Sequence, residues 1–461
     1  MTAKKFPFLL FIISLPVMLL ITVTIGLMDT PDSYLYFILA GYLRTGRIGW
    51  VSPFNYYKPQ TLFGPMYGLF GSYIAYLIPG WGVPILPFAQ LSLILIAALF
   101  VYLLLRQFVS HTWAVIGSLV FLILPFNIIF GTLIMSEILT EFLVALYVFV
   151  LFYVVKKKSK WIKSAAPLVL IATVTTLTRY AYLPLILLGA VLCFYFVPKK
   201  VFDVACLIIS AALLIWWINF NWRTNGVISL TVVAGRHIYN SAVYQSHLLP
   251  PDNAPIMQTF KKYFHSTDDF WKPWWTNQNY FAEDVSLPEW KIDGWYTQIS
   301  LATIFAHPFA FTWHVITNVV ALPSTVPFLK ENYIKSYATC DVTVCHVPWT
   351  PPLCQPPIVS CAAQKTWGNF IEISNFVQPV VGLIFIAFAV FGVIVAIRKR
   401  SLFLILTAGI FLVMYVSQAA MEVREGRFLI PLYPMEALFI AIAGQWVAEK
   451  TRSISTHASK T

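Results

Sequence analysis

"LIMSEILTEFLVALYVFVLFYVVKKK", residues 133–158, decides the architecture. Two acids, Glu137 and Glu141, stand near its start; an apolar run follows, and three lysines close it. An apolar helix of roughly 20 residues is long enough to cross a bilayer. Short loops rich in Lys and Arg stay on the cytoplasmic side. The stretch therefore reads as a membrane helix over 133–155, with its acidic start facing outward and Lys156 to Lys158 inside.

The rest of the chain repeats this pattern. Of 461 residues, 59% are hydrophobic and only 11% are charged, and the mean hydropathy is +0.74. A soluble domain carries about 25% charged residues, so the deficit excludes an ordinary soluble fold. Membrane helices are expected at about 6–28, 84–105, 112–130, 133–155, 164–178, 180–197, 202–220, 375–397, 401–420 and 428–448. The fold class is all-α and polytopic, a bundle of about ten transmembrane helices. The 16 Trp and 23 Tyr suit a protein with much interfacial surface, where amphipathic rings settle. A formal charge of +12 would suggest nucleic acid in a soluble chain. Here it reports topology, and no nucleic-acid partner is expected. The basic start at Lys4-Lys5 resembles a signal peptide, but the apolar run Phe6 to Met28 is too long and no small-residue cleavage site follows. It reads as a retained first span.

With both termini in the cytoplasm, the inner segments hold Lys4, Lys5, Arg106, Lys156 to Lys158, Lys160, Lys163, Lys199, Lys200, Arg398 to Arg400, Lys450, Arg452 and Lys460. Two more apolar stretches, 62–79 and 299–322, would turn some of these clusters outward if either spanned. Both are read as helices lying at the outer interface. The chain then divides into an N-terminal transmembrane module over 1–220 with a first outer loop at 29–83, an extracytoplasmic loop domain over 221–374, and C-terminal helices with a cytoplasmic tail over 375–461. The residues from Thr451 onward are polar and are expected to be disordered.

Cys193 and Cys206 fall in or beside spans and read as inert core residues. Cys340, Cys345, Cys354 and Cys361 cluster in the large outer loop. Four cysteines there favour two disulfides, with three connectivities open. A zinc site using His346 is the rival, but the spacing matches no common zinc pattern.

This sidedness gathers a polar set at the outer boundary: Asp29 and Asp32 after the first span, Arg44, Arg47 and Lys58 in the first loop, Glu137 and Glu141, Arg179 between two spans, Asn219, Asn221 and Arg223, and Glu422, Arg424, Glu425 and Arg427 before the last span. Ionisable residues near membrane depth are costly and often functional. Singly, each has an ordinary explanation as a cap, a snorkelling side chain or a partner in a pair; the informative feature is their convergence. Asp32 has the clearest local physics. Thr30-Pro31 reads as an N-cap followed by proline at the first helical position. Asp32 then lies in the first turn of a helix running to about Gly41, where the macrodipole favours its charged form. A carboxylate held ionised there can accept a proton from a hydroxyl, or can simply cap.

"DSYLYFILA", residues 32–40, resembles the D-S/E/G-x-x-Y-x-x-x-A signature after the first span of GT-C superfamily glycosyltransferases. These polytopic enzymes use lipid-linked sugar donors and include protein O-mannosyltransferases and aminoarabinose transferases. Further matches follow in order. "LRTGRIGWVSPFNYYKPQTLFGPMYGLFG" is similar to the family's first-loop run, and "LPFNIIFGTLIMSEILTEFL" to its Ser/Thr-Glu span start. "TLTRYAYLPLILLGAVL" is similar to its Thr-Arg helix pair, and "RFLIPLYPMEAL" to its Arg-aromatic-x-x-Pro-x-x-Pro span start. The resemblance covers the first seven spans and the last ones, but not the large outer loop. Protein O-mannosyltransferases carry Asp-Glu where this chain has Asp32-Ser33. That departure argues against this subfamily and leaves the acceptor open.

The resemblance implies an enzyme moving one sugar, hexose or pentose, from a polyprenyl-phosphate carrier to an extracytoplasmic hydroxyl on a glycan, lipid or protein, with inversion. It implies Asp32 as general base with Asp29 as runner-up. Arg179 and Arg427, then Lys58 and Arg424, would hold the donor phosphate. Glu137 would orient the sugar or hold an arginine, and Tyr36 of the signature would join it. No cofactor is required by this chemistry, and a divalent metal stays open; Asp268-Asp269 reads as a solvated turn. The rivals are a lipid or glycan transporter or flippase, a glycan ligase or polymerase, and a scaffold whose outer loop binds partners. Transporters often show internal repeats and broken helices near mid-membrane. No repeat is evident here, and the polar set lies at one boundary.

Overall fold

The computed structural model describes residues 64–77, 85–123, 125–133, 135–156, 164–196, 201–231, 233–273, 289–324, 361–421 and 426–458, together with Pro16, Tyr36, Leu39 and Leu43. Among these residues there is no β-strand. The helices of the first half are α1 (Pro65–Leu77), α2 (Ile85–Leu105), α3 (His111–Ile123), α4 (Pro125–Gly131), α5 (Glu137–Lys156), α6 (Ala166–Thr178), α7 (Leu183–Tyr195) and α8 (Val201–Asn225). A middle segment follows with α9 (Ala234–Tyr239), a π turn at Asn240–Gln245, α10 (Pro255–Tyr263), α11 (Glu289–Ala306) and α12 (Pro308–Ala321). Three long helices finish it: α13 (Cys361–Arg398), α14 (Leu402–Met421) and α15 (Tyr433–Ala458).

Six of the described helices are long and apolar enough to cross a bilayer: α2, α5, α8, the Pro379–Arg398 part of α13, α14, and α15 with the turn before it. Three shorter apolar helices, α3, α6 and α7, occupy other expected spans. The chain is an integral, multi-pass membrane protein. Expected span 6–28 lies outside the described residues, apart from Pro16.

The bundle core is formed by α2, α5, α13, α14 and α15 with α3 and α6 between them. Close crossings are set by small residues. A Cβ on Gly392 would fall 2.0 Å from the Phe439 carbonyl oxygen, so α13 meets α15 there backbone to backbone. By contrast α8 and α13 leave most of their spanning windows unburied. Side chains such as Ile208, Ile215, Val380 and Phe388 on those helices face outward, as lipid contact demands.

Several boundaries differ from the expectation for identifiable reasons. The span expected at 112–130 is two helices, α3 and α4, because Pro125 supplies no backbone N–H and disfavours helical conformation before it. The helix expected from 133 starts at Glu137, after a non-helical passage. The single interfacial helix expected at 299–322 is two helices bent by 104° at His307-Pro308. The tail expected to be disordered continues α15 to Ala458, a helix already nucleated and long enough to propagate.

A second, smaller core belongs to the middle segment. Tyr239, Phe260 and Tyr296 pack there with ring centroids 4.7 to 6.4 Å apart. Asp293 of α11 accepts the N–H groups of Gly235 and Arg236, at 3.2 and 3.0 Å, and so caps the start of α9. This core lies within the expected outer domain, and α9 with its π turn packs on α14.

Candidate functional site

The site grows from the way α5 begins. Non-helical backbone is tolerated at membrane depth only where its polar groups are satisfied inside protein. Gln90 of α2 meets that need. Its amide nitrogen donates to the carbonyls of Gly131 and Leu133, at 2.9 and 2.8 Å, and its oxygen accepts the Tyr67 hydroxyl at 2.7 Å. One buried side chain thus ties α1, α2 and the passage from α4 to α5. That passage delivers Ser136 and Glu137 to the first turn of α5, where the macrodipole favours a negative charge. Lys156 closes the same helix about 30 Å away. The basic run Arg398 to Arg400 lies near that far end: Lys399 Nζ reaches the Phe108 carbonyl in the turn between α2 and α3.

Arg179 arrives from α6, which packs beside α5. α6 ends at Thr178, and Arg179 leaves it in extended conformation before a 3-10 turn over Tyr180–Tyr182. The end of α6 is held close to α1, because Gly64 lies against the Leu177 carbonyl, where a Cβ would approach to 1.9 Å. The Arg179 guanidinium is 2.9 Å from the Glu137 carboxylate, and the two side chains are 13% and 2% exposed. It also lies over the ring of Phe428, 4.9 Å from the centroid. Phe428 belongs to the 3-10 turn Gly426–Leu432 that precedes α15.

Tyr36 completes the group. It is buried, its hydroxyl donates to Ser136 Oγ at 2.9 Å, and its ring meets Tyr67 edge-on at 4.7 Å. The residue next to Glu137 is therefore bonded to a side chain from the segment that carries Asp32.

The structure brings together three of the expected site residues: Tyr36, Glu137 and Arg179. Arg427 sits in the turn that carries Phe428. Asp29, Asp32, Lys58, Arg424, Cys340, Cys345 and Cys354 lie outside the described residues, and of Cys361 only its place at the start of α13 is described. Cys206 is buried and Cys193 half-buried, both as free thiols. Among the described residues no group of three or more His, Cys, Asp or Glu is placed to hold a metal.

Sequence reading missed Gln90 and Tyr67, which help hold the start of α5; Ser136 and Phe428 stood only as motif positions, with no role expected of them. A signal existed for Gln90, the one strongly polar side chain in the apolar helix ILPFAQLSLILIAALFVYLLL. Phe428 stands beside an arginine already singled out.

No family model matches the sequence, and no curated protein does. Solved structures do. The fold is similar to that of an oligosaccharyltransferase from Archaeoglobus fulgidus, with 15% identity and a TM-score of 0.46 over 99% of this chain. The chain spans about half of that protein, 52% of its length. It is also similar to ArnT from Cupriavidus metallidurans, in a structure bound to undecaprenyl phosphate. There the identity is 11% and the TM-score 0.40, over 96% of this chain and 79% of that one.

Proposed function

We propose that the protein is a membrane glycosyltransferase of the GT-C type. In this reading it moves one sugar from a polyprenyl-phosphate carrier to a hydroxyl on the extracytoplasmic side. One observation carries the proposal. Four of the sequence motifs that resemble the family touch one another in a chain: Tyr36 of the signature bonds Ser136, Glu137 pairs with Arg179, and Arg179 lies over Phe428 of the last motif. These residues are far apart in sequence, and a bundle has no packing need to cluster an acid, a base and two hydroxyls there.

The chemistry follows from charge. The acceptor oxygen attacks the anomeric carbon from the face opposite the phosphate, forming the new glycosidic bond with inversion. The bond from that carbon to the phosphate oxygen breaks, and its electron pair leaves with the lipid phosphate. The hydroxyl proton passes to Asp32, with Asp29 as the alternative acceptor. Arg179, joined by Arg427, Lys58 and Arg424, faces the charge that grows on the leaving phosphate. Glu137 holds the Arg179 fork in place until the phosphate arrives. Tyr36 orients the sugar. In this reading the active site is outward and the termini are inward.

The test is transfer by purified protein from a panel of polyprenyl-phosphate sugars, with Asp32→Asn beside wild type. Wild type is expected to transfer from at least one donor and Asp32→Asn from none, both being equally well folded. Wild-type turnover by Asp32→Asn removes the base assignment. A wild type inert toward the whole panel removes the donor class.

A further inference from the structure

α8 carries three tryptophans near its end, and they divide by burial. Trp216 and Trp222 are 38% and 56% exposed, as suits rings that settle at a membrane boundary. Trp217 is fully buried. It packs in a small core with Leu39 of the signature segment and Leu177 at the end of α6, and Met66 of α1, Tyr180 and Leu230 close around them. Its ring stacks on Phe220 at 5.0 Å. The signature segment, α1, α6 and α8 thus meet at one indole.

A buried indole needs a partner for its N–H, and it offers a donor only. Trp217 Nε1 donates to the Tyr180 hydroxyl at 3.0 Å and to the Leu230 carbonyl at 2.8 Å. Tyr180 follows Arg179 directly and opens the 3-10 turn, and its hydroxyl lies within electrostatic reach of Tyr36. Leu230 belongs to the entry of the middle segment. α8 ends at Gly226, whose φ of 74° is left-handed, and the chain turns back there along the helix. Asn221, one turn beyond Trp217, holds the returning chain: its amide donates to the carbonyls of Ser229 and Leu230 at 2.8 and 2.9 Å. The indole shares the Leu230 carbonyl with Asn221 and adds a bond to the Arg179 turn.

We infer that Trp217 is a positioning residue: one N–H, shared between Tyr180 and Leu230, holds the Arg179 turn and the entry of the middle segment to each other. Arg179 is then set from two sides. Glu137 fixes its guanidinium, and the tie through Tyr180 fixes the backbone from which it reaches. Trp217 acts through Arg179 and not on the reacting atoms. Its effect on turnover rests on the proposed transferase reading, in which Arg179 faces the leaving phosphate.

The first arm of the test is amide hydrogen exchange in full-length protein in detergent, which needs no substrate. Two stretches report. The amides of Tyr182 and Leu183 are bonded to the carbonyls of Arg179 and Tyr180; those of Thr231 and Val233 are bonded to the hydroxyls of Ser229 and Thr231. Trp217→Phe is expected to quicken exchange in both stretches, and Asn221→Ala in the second alone. A Trp217→Phe variant with an unchanged first stretch, or an Asn221→Ala variant with both quickened, overturns the inference. The second arm separates the bond from the bulk of the ring. Trp217→Phe, Tyr180→Phe and the double variant form a cycle in which the space left by the smaller ring cancels. With a polyprenyl-phosphate sugar, each single variant should lose about five-fold in kcat/KM, what one ordinary hydrogen bond is worth. The loss should fall in kcat, where charge grows on the leaving group, and the double should lose no more than either single. A double variant down by the product, about 25-fold, means that the two side chains act independently, and it overturns the inference. If wild type transfers from no donor, the transferase reading fails, and the same cycle read on exchange at Tyr182 and Leu183 decides the inference by itself.

Discussion

Two ion pairs in this molecule have nearly the same length and opposite meanings. Arg179 and Glu137 meet at 2.9 Å inside the bundle, 13% and 2% exposed. Lys261 and Asp252 meet at 3.0 Å on the surface of the middle segment, 46% and 86% exposed. Distance cannot tell them apart; solvent can. Water and salt screen the outer pair, whose long side chains lose entropy to hold one geometry. The inner pair stands in a setting where each charge depends on the other, and breaking it leaves one stranded. A third pair is graded between them. Asp269 is 4% exposed and meets Lys272 at 2.7 Å, but it also accepts the N–H groups of His265 and Ser266, so the loss of its lysine strands nothing.

The sharpest way to break the comparison is Arg179→Ala. It leaves the Glu137 carboxylate buried without its cation, which costs about 3–5 kcal/mol in comparable pairs. Thermal unfolding followed by tryptophan fluorescence should show a large drop. The double variant Arg179→Met/Glu137→Leu should recover most of that stability, because it removes both charges at once. On the proposed transferase reading, activity should stay about 100- to 1,000-fold down in both, the usual loss when one fixed donor to a developing anion is removed. A single variant as stable as wild type would mean that the carboxylate finds water, and the two pairs would then be alike after all.

A smaller effect is expected where the polar groups are neutral. Gln90→Ala leaves two backbone carbonyls and the Tyr67 hydroxyl without their partner; water filling the space of the lost amide can satisfy most of them, so the net cost should be about 1–3 kcal/mol, that of one unsatisfied group. The same unfolding assay should place this variant between wild type and Arg179→Ala. Hydrogen exchange should quicken at the first amides of α5, around Ser136 to Thr140, before it does elsewhere in the helix. Loss of stability with unchanged exchange there would deny Gln90 its place as the support of Glu137.

The helices were legible because apolar runs are a strong signal, and nine expected spans have helices where the chain is described. The pair at the site was half legible. Glu137 and Arg179 each stood out as charges beside spans, and an arginine partner for Glu137 was one of two roles open to it. What stayed hidden depends on packing between remote segments. Nothing local to ILPFAQ tells which carbonyls Gln90 will hold, because Gly131 and Leu133 lie more than 40 positions away. The unwound start of α5 is equally silent: "GTLIMS" reads as apolar chain, and only its tether shows why it need not be helical. The division at Pro125 and the bend at His307-Pro308 were written plainly in the prolines, but hydropathy averaged over a window passes across a single residue.

The weakest prediction is also the control. Lys261→Ala removes the outer pair and should change stability by about 0–1 kcal/mol, the range for solvent-exposed ion pairs. Asp252 is then left in water, where a lone carboxylate is at no disadvantage. The backbone carbonyl of the same residue still accepts from Gln258 at 3.3 Å, so the turn keeps a tie that owes nothing to charge. Raising the salt concentration should shrink even this small difference, since exposed charges are screened within about 10 Å at 0.1 M, while the Arg179→Ala effect should persist. If Lys261→Ala cost as much as Arg179→Ala, burial would not be what separates the pairs, and the site's charge arrangement would lose its claim to be unusual within this fold.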